Sequence, residues 1–234
     1  MYWHDLTFKE IEEKINDKLL VILPIGSVEE HGYHLPLNSD SAQAIYVSEE
    51  IAKKCNSLIL PPIYYGYTEL KDYKGTISIR YSTLYNLVFD ILSKVVDDGV
   101  KNILIISGHA SSIHMAAIRD AANEIVEKEP VKIMFLSDYD IAYELRSKLV
   151  PANDSHAGII ETSRMMAIRP DLVKKDFKFT YNGKGKFMVI SNYSSIYPEG
   201  TLSDPNGSSP ELGRKINEYV VEKLWEMVKE NFNL

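Results

Sequence analysis

The sequence contains a single cysteine, Cys55, so no disulfide can form within the chain, as is usual for proteins of a reducing cytosol. No apolar run approaches the ~18 to 20 residues that span a bilayer. The opening "MYWHDLTFKEIEEK" lacks the basic-then-apolar order of a secretion signal. A surplus of positive charge is missing too: 26 Lys and Arg stand against 33 Asp and Glu, a net charge of −7. That balance argues against a phosphate-backbone partner. Tryptophan is scarce, with only Trp3 and Trp225, and there is neither an internal repeat nor a low-complexity linker. These absences leave a cytoplasmic chain that handles a small molecule, with no nucleic acid and no membrane as partner. Its 234 residues suit one large domain, 1–234.

Short runs rich in valine, isoleucine and leucine recur at 19–25, 57–63, 102–107, 131–137 and 186–191 and read as buried strands. Between them, Leu84, Leu87, Val88, Ile91, Leu92 and Val95 repeat with helical period, and further helices are expected at 41–54, 112–128, 138–148, 158–168 and 211–231. Such alternation predicts an α/β fold with a mostly parallel sheet flanked by helices on both faces. The tyrosine-rich stretch 64–80 breaks the rhythm and reads as an excursion or hairpin rather than a sheet strand.

In open α/β sheets ligands bind beyond the carboxyl ends of the strands, and chemistry-bearing residues gather there. In "GSVEEHGYHLPLNSD", residues 26–40, Glu29 and His31 follow the first strand, and their period-2 spacing points both the same way in an extended segment. Glu30 is expected to face solvent and His34 to orient the loop. Asp40 opens the helix 41–54 and is either a helix cap or a ligand. His109, in "SGHASS" (107–112), follows the third strand behind Gly108. His114 reads as a packed or exposed helix residue and His4 as surface. Together these side chains offer the mixed oxygen and nitrogen donors favoured by zinc, manganese or ferrous iron. In "NDSHAGIIETSRMMAIRP", residues 153–170, His156 and Glu161 are five apart, roughly 140° beyond a full helical turn. They converge only if His156 precedes the helix, which Gly158 permits.

Taken together, "GSVEEHGYHLPLNSD", "SGHASS" and "SHAGIIETS", with weaker support from "GTLSDPNGSSPELGRK", resemble the creatininase family of metal-dependent amidohydrolases over roughly residues 19 to 216. The resemblance implies an α/β/α domain that assembles into homo-oligomers around two divalent metal ions, iron or zinc foremost and manganese as a further choice. It implies Glu29, His31, Asp40 and His109 as metal ligands, with Asp40 bridging. Creatininase itself has a glutamate two positions after the histidine matching His109, where this chain has Ser111; Glu161 is then the fifth ligand. His156 is the candidate general acid and base. Ser107, Ala110, Ser111 and Ser112 depart from the residues that many relatives carry around that histidine.

The tryptophans on which creatinine hydrolysis relies have no counterpart near the third motif, since Trp3 and Trp225 lie far away in sequence. Compact archaeal members of the family deformylate a formamidopyrimidine ribonucleotide on the way to riboflavin and deazaflavin cofactors. That small-molecule nucleotide is therefore the leading substrate, with Lys184, Lys186, Arg80 or Arg214 as phosphate contacts. Creatinine or another small amide is the nearest alternative, and a non-catalytic nucleotide-binding α/β domain the alternative of another class.

Overall fold

A computed structural model describes all 234 residues. Four strands, β1 (Leu20–Ile25), β2 (Ser57–Ile59), β3 (Asn102–Ser107) and β4 (Lys132–Ser137), form one sheet in the order β2-β1-β3-β4, with every pairing parallel. Seven α-helices surround it: α1 (Phe8–Lys14), α2 (Ser39–Ala52), α3 (Tyr81–Asp97), α4 (Ser112–Lys128), α5 (Asp138–Ala142), α6 (Ile159–Ile168) and α7 (Pro210–Phe232). α1 was not foreseen from periodicity, yet its start is marked by a capping box in which Thr7 and Glu10 satisfy each other's backbone N–H groups.

β1 and β3 are buried on both faces, which is why they read as unbroken apolar runs rather than alternating ones. Successive residues point to opposite sides. Leu20, Ile22, Leu104 and Ile106 pack against α2, α5, α6 and α7, while Val21, Leu23, Ile103 and Ile105 pack against α1, α3 and α4. Each such side chain stabilises the fold by about 1.5–3 kcal/mol relative to exposure. The two cores make the flanking layers that alternation of strands and helices predicts.

Three expected elements differ. The run 57–63 pairs as a strand only over Ser57–Ile59, because Pro61 and Pro62 have no N–H to give a ladder. The helix expected over 138–148 stops early: α5 gives way to a 3-10 turn at Tyr143–Leu145, and Ser147 takes a positive φ of 62°. The run 186–191 is not a strand. It has no neighbouring strand to pair with, and Phe187 and Val189 are fully exposed in a loop. The stretch 64–80 is an excursion whose only β-type pairing with the loop after β1 is an antiparallel bridge between Val28 and Ile77.

The topology chooses the site. From β1 the chain crosses to β2 on one side and later returns to place β3 on the other, so a crevice opens beyond the carboxyl ends of β1 and β3. Gly108 closes the distance there: a Cβ at that position would lie 2.0 Å from the Asp40 carbonyl oxygen, so only glycine lets the turn after β3 touch the first turn of α2.

Candidate metal centre

Beyond β1 the loop 26–38 is held down along its length. Ser27 Oγ donates to Asp40 Oδ2 at 2.6 Å, and Gly32 turns the chain with φ of 68°. Glu29, His31, Asp40, His109 and Glu161 all converge and are all buried. The His31 ring donates Nδ1–H to the Glu29 carbonyl at 3.0 Å, since a carbonyl can only accept. That leaves Nε2 facing Asp40 Oδ1 at 3.1 Å and Glu161 Oε1 at 3.2 Å. His109 is held by the opposite nitrogen: Nε2–H donates to the Tyr67 carbonyl at 3.0 Å, and Nδ1 sits 3.0 Å from both Glu29 Oε2 and Asp40 Oδ2. The two oxygens of Asp40 therefore serve two different imidazoles.

Potential ligand atoms within 4.8 Å of one another form three groups: Glu29, Asp40 and His109; His31, Asp40 and Glu161; and Glu29, His31 and His156. Asp40 is common to the first two. Each of these has two carboxylates and one imidazole whose other ring nitrogen is fixed by a backbone carbonyl, the usual way of orienting a metal-binding histidine. Such sets suit zinc, manganese or ferrous iron. Where the Glu29, Asp40 and Glu161 oxygens face Nε2 of His31 and Nδ1 of His109, acceptor meets acceptor, so two cations fit the residues present.

Without cations, protons must fill that role. Burial alone would push the His31 imidazole down, but the Glu161 and Asp40 carboxylates outweigh it and hold its pKa well above the ordinary value. His109 is raised in the same way by Glu29 and Asp40. Burial likewise works to raise Asp40 and Glu161; the imidazoles prevail, holding Asp40 well below the usual range and Glu161 at about 2.

His156 precedes α6, as the spacing to Glu161 required. Ala157 takes a positive φ of 53°, and its N–H donates to Glu161 Oε2 at 2.7 Å. His156 donates Nε2–H to the Glu30 carbonyl at 2.8 Å, which turns Nδ1 toward Glu161, 4.0 Å from Oε2. Glu30 itself is a correction. It is buried, not solvated: Oε2 accepts from the Gly32 N–H at 3.0 Å and Oε1 lies 3.3 Å from His156 Nε2. His34 ties the loop to α6 through Thr162 at 2.8 Å, and burial with the neighbouring His31 pushes its pKa down to about 4. His114 is packed beneath His109, and His4 is exposed.

Several residues escaped sequence reasoning. Tyr139 Oη lies 2.7 Å from Glu161 Oε1 and 2.9 Å from Gln43 Oε1. Thr68 donates to Glu29, and Ser111 Oγ donates to Glu69 at 2.9 Å. Signals for two of them existed: Tyr139 follows β4 at the same sheet edge, and Gln43 stands one helical turn beyond Asp40. Thr68 and Glu69 come from the irregular excursion, which no periodicity locates. Over this cluster opens a pocket of about 300 Å³, with Tyr143, Tyr193, Leu70 and Leu202 among its walls. That volume admits a small molecule. Neither tryptophan is there: Trp3 and Trp225 pack at the edges of the two cores.

Residues 4–228 match the model of the family described as creatininase, creatinine amidohydrolase. The creatinine amidohydrolase of Pseudomonas putida is 26% identical, with 97% of this chain and 96% of that protein covered. The mycofactocin precursor peptide peptidase of Mycolicibacterium smegmatis is 28% identical over 90% of this chain and 84% of its own. Among solved structures, a mutant creatininase of Zn-Zn type superposes with a TM-score of 0.86 at 26% identity, covering 99% of this chain and 98% of that one. No helix is long and apolar enough to cross a membrane.

Proposed function

The chain belongs to the creatininase family of amidohydrolases, and on that premise we propose that it hydrolyses the C–N bond of a small amide at a two-metal centre, with a formamide as the favoured substrate. The observation that carries the reading is the division of Asp40's two oxygens between two imidazole-and-carboxylate groups at the floor of one pocket. In this reading Glu29, Asp40 and His109 would hold one divalent ion and His31, Asp40 and Glu161 the other. Zinc, iron or manganese bound there would supply Lewis acidity to the carbonyl and a water nucleophile active near neutral pH.

The chain's own residues do the rest. Backbone carbonyls of Glu29 and Tyr67 fix which nitrogen each imidazole presents, and Tyr139 with the Ala157 N–H fixes the Glu161 carboxylate. His156 is anchored through Nε2, so Nδ1 is free to take the proton of the attacking water and return it to the departing amine nitrogen. Water adds to the carbonyl carbon, the C–N bond breaks, and carboxylic acid and amine leave. Replacement of His156 by alanine is expected to keep the metal content and lower turnover by about 10²- to 10⁴-fold. Metal analysis of the purified variant decides: if His156→Ala loses metal while Glu161→Ala keeps it, the two roles are exchanged.

Support for a formamide comes from the small pocket and the absence of tryptophan in it, since a formyl group needs no aromatic clamp. The specific substrate we favour is the formamidopyrimidine ribonucleotide of riboflavin and deazaflavin biosynthesis. Relatives named as a creatinine amidohydrolase and a peptide peptidase place other amides in the same family, and likeness to the former favours creatinine as the second reading. Supplying the ribonucleotide anaerobically with defined iron, zinc or manganese should release formate. No formate, with creatine formed from creatinine, would reverse the order. A non-catalytic nucleotide-binding role meets an obstacle in Glu29, Asp40, Glu69 and Glu161, which would repel a phosphate unless cations intervene. A protein that takes up no divalent ion would sink the two-metal reading.

A further inference from the structure

Arg146 is the only lysine or arginine lining the pocket, where the other charged residues are acids or histidines. It follows the 3-10 turn that ends α5, and its guanidinium lies on the ring of Tyr143, with Cζ 3.2 Å from the ring centroid. Stacking of this kind holds the planar fork in one orientation. Yet no carboxylate meets it. Its side chain makes no ion pair or hydrogen bond, and Nε is buried with no partner. The nearby acids are engaged elsewhere: Asp154 accepts from the Ile159 and Ile160 N–H groups at 2.6 and 3.1 Å, and Glu144 accepts from the Tyr219 hydroxyl at 2.6 Å. Nε is covered, but Nη1 and Nη2 are neither buried nor engaged, so the open end of the fork stands free at the pocket wall with its plane held by the Tyr143 ring.

We propose that Arg146 recognises an oxyanion, carboxylate or phosphate, that the small amide substrate carries beside its scissile C–N bond. The proposal rests on the amidohydrolase reading and narrows it to anionic amides. It also replaces the expected phosphate contacts, because Lys184, Lys186, Arg80 and Arg214 are exposed and none lines the pocket. The carboxylates at the pocket floor do not oppose an anion once two divalent ions neutralise them.

The test is calorimetric binding to the zinc-loaded protein of two matched pairs: N-formylglycine against N-formylglycinamide, and N-formyl-O-phosphoethanolamine against N-formylethanolamine. The charged member of one pair should bind at least about tenfold tighter, and which pair shows it identifies the oxyanion as carboxylate or phosphate. In Arg146→Gln the preference should vanish with zinc content unchanged. Arg146→Lys should keep part of it, a point charge without the fork, and carries the test if the glutamine variant fails to fold by circular dichroism. A preference that persists in Arg146→Gln, or none in the wild type, overturns the assignment. The two readings fail separately. An Arg146-dependent preference without hydrolysis of any amide leaves the anion site and removes the amidohydrolase. Equal binding and equal hydrolysis of charged and neutral amides, before and after substitution, does the reverse.

Discussion

Asp40→Ala should leave a folded protein that no longer holds its metal and hydrolyses amides at least about 10³-fold more slowly, since the ions supply several kcal/mol of transition-state stabilisation and each 1.36 kcal/mol is a factor of ten. Asp40 alone belongs to both of the two-carboxylate groups: Oδ1 faces His31 and Oδ2 faces His109. Its loss removes a donor from each group and also the acceptor of Ser27. Elemental analysis of the purified variant, alongside its circular dichroism, reads the outcome. Two ions per chain with full activity would show that Asp40 is a buried helix residue and not a bridge. The same site makes metal uptake pH-dependent. His31 and His109 are held above their ordinary range in the metal-free chain, so they carry protons at neutral pH that a cation must displace. Affinity should therefore rise with pH through and above the ordinary histidine range. Calorimetry in buffers of different ionisation enthalpy would detect the released protons.

The largest stability loss is expected away from the donors themselves. Asp138 and Arg164 are fully buried, with Arg164 Nη2 donating to Asp138 Oδ2 at 2.5 Å and Nε to Asn217 Oδ1 at 2.8 Å. The pair ties α5 to α6 and α7. Removing one partner from such a pair leaves an uncompensated charge in the core, so Asp138→Ala should cost about 3–5 kcal/mol. Guanidinium unfolding should show the midpoint falling at unchanged slope. A double replacement, Asp138→Leu with Arg164→Met, should recover much of the loss, because two buried charges with imperfect partners are exchanged for apolar packing. Asp138 Oδ1 and Arg164 Nη1 have no partner, which favours that recovery. Equal destabilisation of the single and double variants would show that helix packing, and not the stranded charge, sets the cost. Tyr139 follows Asp138 and reaches Glu161, so the single variant should also weaken metal binding.

The parallel sheet was legible because β1 is apolar throughout and β3 is apolar between Asn102 and Ser107 at its ends, and the helices because their apolar residues recur every three to four positions. The false strand at 186–191 shows where that signal ends. An apolar run reads the same with or without a neighbour to pair with, and here there is none. The convergence of Glu29, His31, Asp40 and His109 was legible for a similar reason: they lie in short segments at strand ends, where local spacing already limits where they can point. The burial of Glu30 was not, since it depends on His156 arriving from 126 residues away.

By itself, then, the sequence determined the fold class, the end of the sheet that carries the chemistry and the residue types gathered there, all of which follow from local periodicity and the strand-to-loop boundary. Only the tertiary structure decided how Asp40 divides its oxygens, that Tyr139 and Thr68 brace the carboxylates, and that Arg146 rather than a lysine of the exposed loop faces the pocket. Those relations join segments far apart in the chain. They exist only once β1 and β3 pair and Gly108 lets the turn after β3 meet α2.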